Sequence, residues 1–274
     1  MTDGPADPRD VTTPRPRRIG AVNWLGLWTH YEKEVLRFLK IGFQTLAAPV
    51  VVTLLYLAVF SLALGRAVEA IAGIPFDQYL APGLVMMSVI QNAFANSSSS
   101  IMMSKVQGNI VDVLMPPLSA GELALGFVMG GVTRGLIVAT VVALALALFV
   151  PMRVHDLAAI VFFAASAAFA LSALGVIIGL WASKWDHVAS ITNFIIIPLS
   201  FLSGTFYSIE RLPEPFLAFA HLNPFFYMID GLRYGFLGHV DGSLAVGAIA
   251  ITLVNAALWT GCLRLFAIGY KIKA

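Results

Sequence analysis

Gln91, Asn92, Asn96 and the four serines Ser97–Ser100 stand together inside Gln78–Ser104, a stretch without a single charge. Amides and hydroxyls at that spacing can hydrogen-bond a passing polar group, or they can bond to neighbouring helices and to their own backbone. They supply no proton at neutral pH and no activated nucleophile. Thr192 and Asn193 repeat the pattern further along, as does Asn255. Gln91, Asn92, Asn96 and Asn193 are the candidates for lining a substrate path.

More reactive chemistry is missing from the sequence. The nearest spacing to a phosphate-binding loop, Gly121 to Gly126, is followed by Phe127 rather than by Lys and Ser or Thr. There is no HExxH, no GxSxG and no Ser/His/Asp grouping. The five histidines lie far apart, and Cys262 is the only cysteine, so neither a disulfide nor a cysteine-rich metal site can form within the chain. His187 beside Asp186 has no assignable nucleophile. Ionisable side chains within apolar spans mark ion-coupled carriers, but only Arg134 qualifies, and it reads as snorkelling to the inner headgroups. No carboxylate falls in the middle of a span. An ion-coupled secondary transporter is therefore the alternative reading, and a lipid-modifying intramembrane enzyme is a third.

These residues need elements to hold them, and composition names the class. Of the 274 residues 59% are hydrophobic and 12% charged, about half the charge of an ordinary soluble domain, and mean hydropathy is +0.85. A net charge of +2 argues against nucleic acid as a partner. Six apolar stretches, about 41–65, 78–104, 123–152, 157–183, 187–209 and 242–263, are long enough for a helix to cross roughly 30 Å of hydrocarbon. The backbone must bond internally there, so they are expected to be helices, in an all-α membrane protein. Orientation follows from Lys and Arg. With both termini inside, Arg9, Arg15, Arg17, Arg18, Lys33, Arg37, Lys40, Lys105, Arg134, Lys184, Arg264, Lys271 and Lys273 are cytoplasmic, whereas only Arg66, Arg153, Arg211 and Arg233 are outside. This predicts N-in/C-in. Residues 1–22, rich in Pro, Asp, Thr and Arg, read as a disordered cytoplasmic tail rather than a secretory signal.

Three segments are not spans. Residues 23–40 place Trp24, Leu27, Trp28, Tyr31, Val35, Phe38 and Leu39 on one helical stripe, with His30, Glu32, Lys33, Arg37 and Lys40 away from it. This predicts an amphipathic helix in the cytoplasmic headgroup layer, touching lipid, or else a helix packed on the rest of the protein. Residues 105–120 predict two helical turns stopped at Pro116–Pro117, then a capping box from Ser119 to Glu122. They serve either as a force-transmitting segment or as a plain connector. In 210–238, Pro213 and Pro215 break the chain, Phe216–Leu222 and Phe225–Gly235 form two short helices, and Asn223–Pro224 turns between them. Its aromatic content predicts a hairpin dipping back from the outer face, or an aromatic belt with no part in transport.

Three motifs resemble the integral-membrane permease subunits of ABC-2-type ATP-binding-cassette exporters, a family that includes bacterial polysaccharide, drug and nodulation-factor exporters. They are YLAPGLVMMSVIQNAFANSSSSI (Tyr79–Ile101), NIVDVLMPPLSAGELALG (Asn109–Gly126), and PLSFLSGTFYSIERLP with HLNPFFYMIDGLRYGFLG (Pro198–Pro213 and His221–Gly238). The resemblance runs from about Trp24 to near the end, and the last motif is the most specific. It implies an export permease in a bacterial inner (plasma) membrane. Such a subunit dimerises with a second permease copy, docks separate ATP-binding subunits, and leaves ATP and Mg to them, with no cofactor of its own. It further implies an interface helix carrying Trp24, Trp28, Tyr31, Lys33 and Arg37, and a coupling helix with Gln107, Asn109, Ile110, Asp112 and Val113. The outer gate it implies comprises Phe206, Tyr207, Pro213, Phe216, Phe219, Asn223, Pro224, Phe225 and Tyr227. No transported substrate can be read from these motifs.

Overall fold

The structure, a computed structural model, describes residues 20–65, 68, 70–209 and 213–271. The first 19 residues of the expected tail, Arg66, Arg211 and Lys273 lie outside the described residues, as do 210–212 at the start of the expected hairpin. Among the described residues eleven α-helices follow in order: α1 Trp24–Leu39, α2 Gly42–Leu64, α3 Phe76–Val106, α4 Ile110–Leu114, α5 Ala120–Ala147, α6 Leu157–Trp181, α7 Trp185–Ile191, α8 Ile197–Phe201, α9 Glu214–Leu222, α10 Pro224–Leu237 and α11 Leu244–Ala267. A π-helical turn, Thr192–Ile196, joins α7 to α8 in one unbroken rod. Among the described residues the sole departure from helix and loop is a small antiparallel hairpin, β1 Ala70–Ile71 with β2 Ile74–Pro75. It turns through Ala72 and Gly73, both at positive φ, as tight hairpins require.

Of the helices in the described residues four, α2, α5, α6 and α11, are long and apolar enough to cross a membrane. Helix α3 is longer than any of them but diluted by its amides and serines, and the rod from Trp185 ends at Phe201. The stretch expected to run helical to Ile209 leaves the helix at Leu202, where Gly204 adopts φ +74°. A left-handed glycine thus bends this chain, ahead of the prolines that were expected to do so.

Helix α3 forms the middle of the bundle. It packs most extensively on α6 and α5, with α10 and α2 also against it, while α11 covers α6 and α1 lies along α5. The central node is hydroxyl-mediated. Ser97 Oγ and Ser172 Oγ stand 2.6 Å apart, Ser172 donates to the Val128 carbonyl at 2.7 Å, and Ser97 to that of Phe127 at 3.3 Å. Three helices are thereby tied at one level, and Gly131 leaves room for them, since a Cβ there would overlap both hydroxyls. Small residues matter because apolar helices in lipid gain little from hydrophobic burial and depend on close packing and interhelical hydrogen bonds.

A Cβ at Gly175 would stand 2.6 Å from the Phe94 carbonyl oxygen, a backbone atom that cannot swing aside. Gly175→Ala should therefore lower stability by about 1–3 kcal/mol. Gly121→Ala, whose Cβ would meet only ordinary contact 3.7 Å from Leu263, should be neutral or stabilising by up to about 1 kcal/mol. Thermal unfolding of both variants in the same detergent checks the contrast; equal melting temperatures would contradict it.

Candidate functional site

Ser119 and Glu122 start α5 with the expected capping box: Glu122 N–H donates to Ser119 Oγ at 3.3 Å, and Ser119 N–H to Glu122 Oε2 at 2.6 Å. The second oxygen of Glu122 accepts from the backbone N–H of Asn23, the N-cap of α1. One carboxylate thus fixes the starts of both helices against each other, and the Asn23 side chain donates to the Pro117 carbonyl at 3.2 Å. Across from this joint, Lys105 at the end of α3 donates to the carbonyls of Gly179, Leu180 and Ala182 at 2.6–3.2 Å. A cation from another helix therefore caps the C-terminus of α6, where unpaired carbonyls carry partial negative charge. The loop holding α4 is anchored at both ends.

Between that loop and the start of α1 opens a cleft of about 810 Å³. Trp24, Lys33, Asn109, Asp112 and Val113 all line it. Among the coupling candidates Gln107 and Ile110 stay off its wall, and of the interface candidates Trp28 and Tyr31 line a neighbouring apolar groove instead. Asp112 and Lys33 are exposed, and one carboxylate and one ammonium give the cleft both signs of charge.

Helix α1 corrects the expected partition of its faces. Its buried residues are His30, Glu34 and Phe38, while Trp24 and Trp28 of the apolar stripe are 72% and 60% exposed. Glu34, fully buried, accepts from Ser100 Oγ at 2.8 Å. Arg37, expected on the outward basic face, turns inward, ion-paired to Glu34 at 3.3 Å and donating to both the backbone and side-chain oxygens of Asn96 at 2.9 Å. Asn96 is therefore committed to holding α1. His30 lies edge-on to Phe127, over Gly126.

The other path candidates separate. Gln91 and Asn92 line a cavity of about 490 Å³, with Arg134 and Thr192 beside them; Asn193 is exposed and is not part of its wall. Arg134, expected near an inner helix end, stands midway along α5 and donates to Asn92 Oδ1 at 3.4 Å.

At the far end, α9 and α10 meet at Asn223, which is buried. Its amide donates to the Leu199 carbonyl at 3.0 Å and to Ser203 Oγ at 2.9 Å, while its oxygen accepts from Phe225 N–H, capping α10 ahead of Pro224 at the first helical position. Phe206 is buried and stacks on Phe60 and Phe201; Phe225 is also buried. Tyr207 and Tyr227 are half-buried, the latter donating to the His221 carbonyl at 2.9 Å. Pro213, Phe216 and Phe219 are exposed. The nine gate candidates thus divide between an inner layer and an outward-facing edge.

Sequence reasoning missed the strongest polar cluster, which surrounds Arg233. Counted above as a loop charge, Arg233 is fully buried. It donates to the Gly204 carbonyl at 2.6 Å, lies 3.9 Å over the Tyr79 ring, and stands 3.7 and 3.9 Å from Asp241 and Asp230. Tyr79 donates to Asp241 at 2.7 Å, His239 sits 2.9 Å from the same carboxylate, and Asp230 accepts from the N–H groups of Asp241 and Gly242. The hairpin, the turn at Gly204, the head of α3 and the loop before α11 are joined here. Burial pushes the Asp241 carboxyl upward, but the Arg233 guanidinium and the Tyr79 hydroxyl outweigh it and hold it below the ordinary carboxylate range. The available signal was Asp230 and Arg233 three residues apart, one helical turn, in an otherwise aromatic stretch.

Arg233→Met should cost about 3–5 kcal/mol, because it leaves two carboxylates buried without their cation; thermal unfolding showing a loss below about 1 kcal/mol would contradict the cluster. A second expectation concerns acid. Burial lowers the His30 pKa from its ordinary 6.5, against the upward pull of Glu34. A folded-state pKa below the unfolded one means full stability above pH 6.5 and a loss as pH falls beneath it toward the folded value. Protection of the α1 amides, taken relative to intrinsic exchange at each pH, should therefore fall below pH 6.5 in the native chain and less in His30→Phe; identical protection profiles would remove this role.

A protein-family profile described as ABC-2 type transporter matches residues 26–237. The inner membrane transport permease YadH of Escherichia coli K12 is 36% identical over 251 residues, covering 92% of this chain and 98% of that protein. Nodulation protein J of Rhizobium leguminosarum bv. trifolii is 26% identical, covering 86% and 90% respectively, and that of Neorhizobium galegae 22%, with the same coverage. The matched region runs from the first turn of α1 through α10, and so takes in α4, the cavity at Arg134 and the α9–α10 hairpin. The chain belongs to the ABC-2 type transporter family, as a multi-pass membrane protein.

Proposed function

We propose that this protein is the permease subunit of an ATP-driven exporter in the bacterial inner membrane. It forms the translocation path with a second copy of itself and takes its energy from separate ATP-binding subunits, which carry the ATP and Mg. The reading counts α3 and the Trp185–Phe201 rod as spans alongside the four apolar helices. This gives six crossings, with α1, α4 and both termini on the cytoplasmic side. Helix α3 qualifies despite its polarity because protein covers nearly all of it, and a polar helix can sit at membrane depth when other helices enclose it.

The observation that carries the proposal is the inner cleft. It is the place where interface and coupling candidates converge, and its walls are not loose loops. Glu122 ties one wall to α5 and Lys105 ties the other to α6. A push on Asn109–Val113 therefore acts on α3, α5 and α6 together. The ATP-binding subunit would seat against Asp112, Asn109 and Lys33. At the other end the α9–α10 hairpin closes the exit, its inner layer around Phe206, Asn223 and Phe225 held by Arg233. A two-state swing between inward- and outward-open forms requires such a rigid lever and such a separable closure. The spans carry no midplane carboxylate for an ion to titrate, which leaves the secondary-transporter reading without a coupling group.

Pull-down of the tagged chain in mild detergent from its native host should bring an ATP-binding subunit in stoichiometric amount. Asp112→Lys should abolish that association while membrane insertion and melting temperature stay unchanged. A chain that purifies alone and transports under an imposed ion gradient would replace the proposal with the secondary-transporter reading.

A further inference from the structure

The central cavity contains a charge that the inner cleft and the outer hairpin do not use. Arg134 projects from the middle of α5, about 21 Å along the helix from Ala120 at 1.5 Å per residue. Its Nε is buried and makes no hydrogen bond, and its one bond, to Asn92, is long at 3.4 Å. Among the described residues no carboxylate lies within ion-pair distance of it. Glu34, the acid buried on α1, is already paired with Arg37. A half-buried guanidinium with no carboxylate beside it is expensive at membrane depth. Among the described residues Arg37, Lys105 and Arg233 also turn inward, and Arg37 and Arg233 also have idle donors, but each has a strong partner: Glu34 for Arg37, three carbonyls for Lys105, two aspartates and a carbonyl for Arg233.

The cavity around Arg134 is open on one side and encloses about 490 Å³. Near Arg134 its wall is uncharged and polar, with Gln91, Asn92 and Thr192. Gln91 makes no hydrogen bond to the described residues, so its amide is available to a ligand. Along α3 the wall continues from Asn92 to Met87 and Leu84, about 12 Å away at 1.5 Å per residue, and faces Val52 of α2 in a mostly apolar lining that also includes Thr53, Tyr56 and Ser88. One end thus offers a fork of N–H donors suited to a phosphate or carboxylate, and the other end offers a strip suited to a hydrocarbon chain.

We propose that this cavity binds an acidic amphiphile, with its phosphate or carboxylate head on Arg134 beside Gln91 and Asn92 and its aliphatic chain along Val52, Leu84 and Met87. The inference rests on the chain crossing a bilayer and needs no ATP-binding partner, so it can fail or stand independently of the Asp112 test. The bound head supplies the negative charge that the protein withholds. The site selects for charge and chain together: a neutral amphiphile leaves the guanidinium unanswered, and a bare anion leaves the aliphatic wall uncovered.

The test uses the full chain in phosphatidylcholine vesicles containing trace photoactivatable phosphatidylglycerol or, separately, photoactivatable phosphatidylcholine, with crosslinked peptides identified by mass spectrometry. The acidic probe should label α2 and α3 peptides of the cavity well above the neutral one. Arg134→Ala should reduce that labelling about tenfold, the loss expected for one charge-assisted hydrogen bond, while Arg134→Lys should keep most of it. Val52→Trp, which fills the aliphatic end and leaves the arginine in place, should also suppress labelling and guards against a misfolded Arg134 variant. Dodecyl phosphate should compete and inorganic phosphate should not. Equal labelling by both lipids, undiminished labelling of Arg134→Ala, or full competition by inorganic phosphate would each overturn the proposal.

Discussion

A helix that carries Asn92, Asn96 and four consecutive serines cannot turn those groups toward hydrocarbon without leaving donors and acceptors unpaired. In lipid no water is present to satisfy them, so α3 must be enclosed by protein, and the rest of the bundle follows from that need. Helices α5 and α6 are apolar on the outside but carry glycines such as Gly131 and Gly175 where they face α3, whose Ser97 reaches the α5 carbonyl of Phe127 and the α6 hydroxyl of Ser172. The Ser97–Ser172 pair is the centre of this arrangement. Helices α2 and α11 remain largely bare on their apolar surface, as lipid-facing helices can.

The same rule explains which charges are buried and where. Glu34 with Arg37 pins α1 to α3, Lys105 pins α3 to α6, and Arg233 with Asp230 and Asp241 pins the hairpin to the head of α3. Each cluster reaches from its own helix to another element, so each charge adds a fixed joint where it costs desolvation. Such joints specify an arrangement more than they stabilise it. For a protein proposed to move between two states, this distinction is useful: the joints define which parts travel as units.

Local signals in the sequence were legible where the cause was local. The capping box at Ser119–Glu122, the proline stop after α4 and the break at Asn223–Pro224 all depend on residues within one turn of each other, and each sits where its residue types require. The faces of α1 were not legible. A stripe of Trp24, Leu27, Trp28 and Tyr31 would be the inward face of a soluble helix, but beside a membrane the apolar side can look outward and the polar side can be the one that packs. Nothing within α1 reveals that Ser100 and Asn96, some sixty residues on, complete its hydrogen bonds. Arg233 was misplaced for a related reason. Counting basic residues treats each as exposed, whereas its partners Gly204, Tyr79 and Asp241 come from three distant parts of the chain. Of the path candidates, Gln91 and Asn92 lie on the wall of one cavity, on α3, whereas Asn193 is exposed in the π turn.

That π turn has a mechanical consequence. Thr192–Ile196 holds one residue more than the α-helical turn it replaces. Were it to relax into α-helix, or to migrate along the rod, everything beyond it would rotate by about 100°, the angle that one residue subtends in an α-helix. The residues beyond it are α8, then Ser203, which bonds to Asn223, and Gly204, whose carbonyl takes the Arg233 guanidinium. The residue at its start, Thr192, lines the central cavity. The rod therefore contains a built-in screw, with its thread beside the cavity and its head under the α9–α10 hairpin, and a change of register at one end is geometrically a turn at the other.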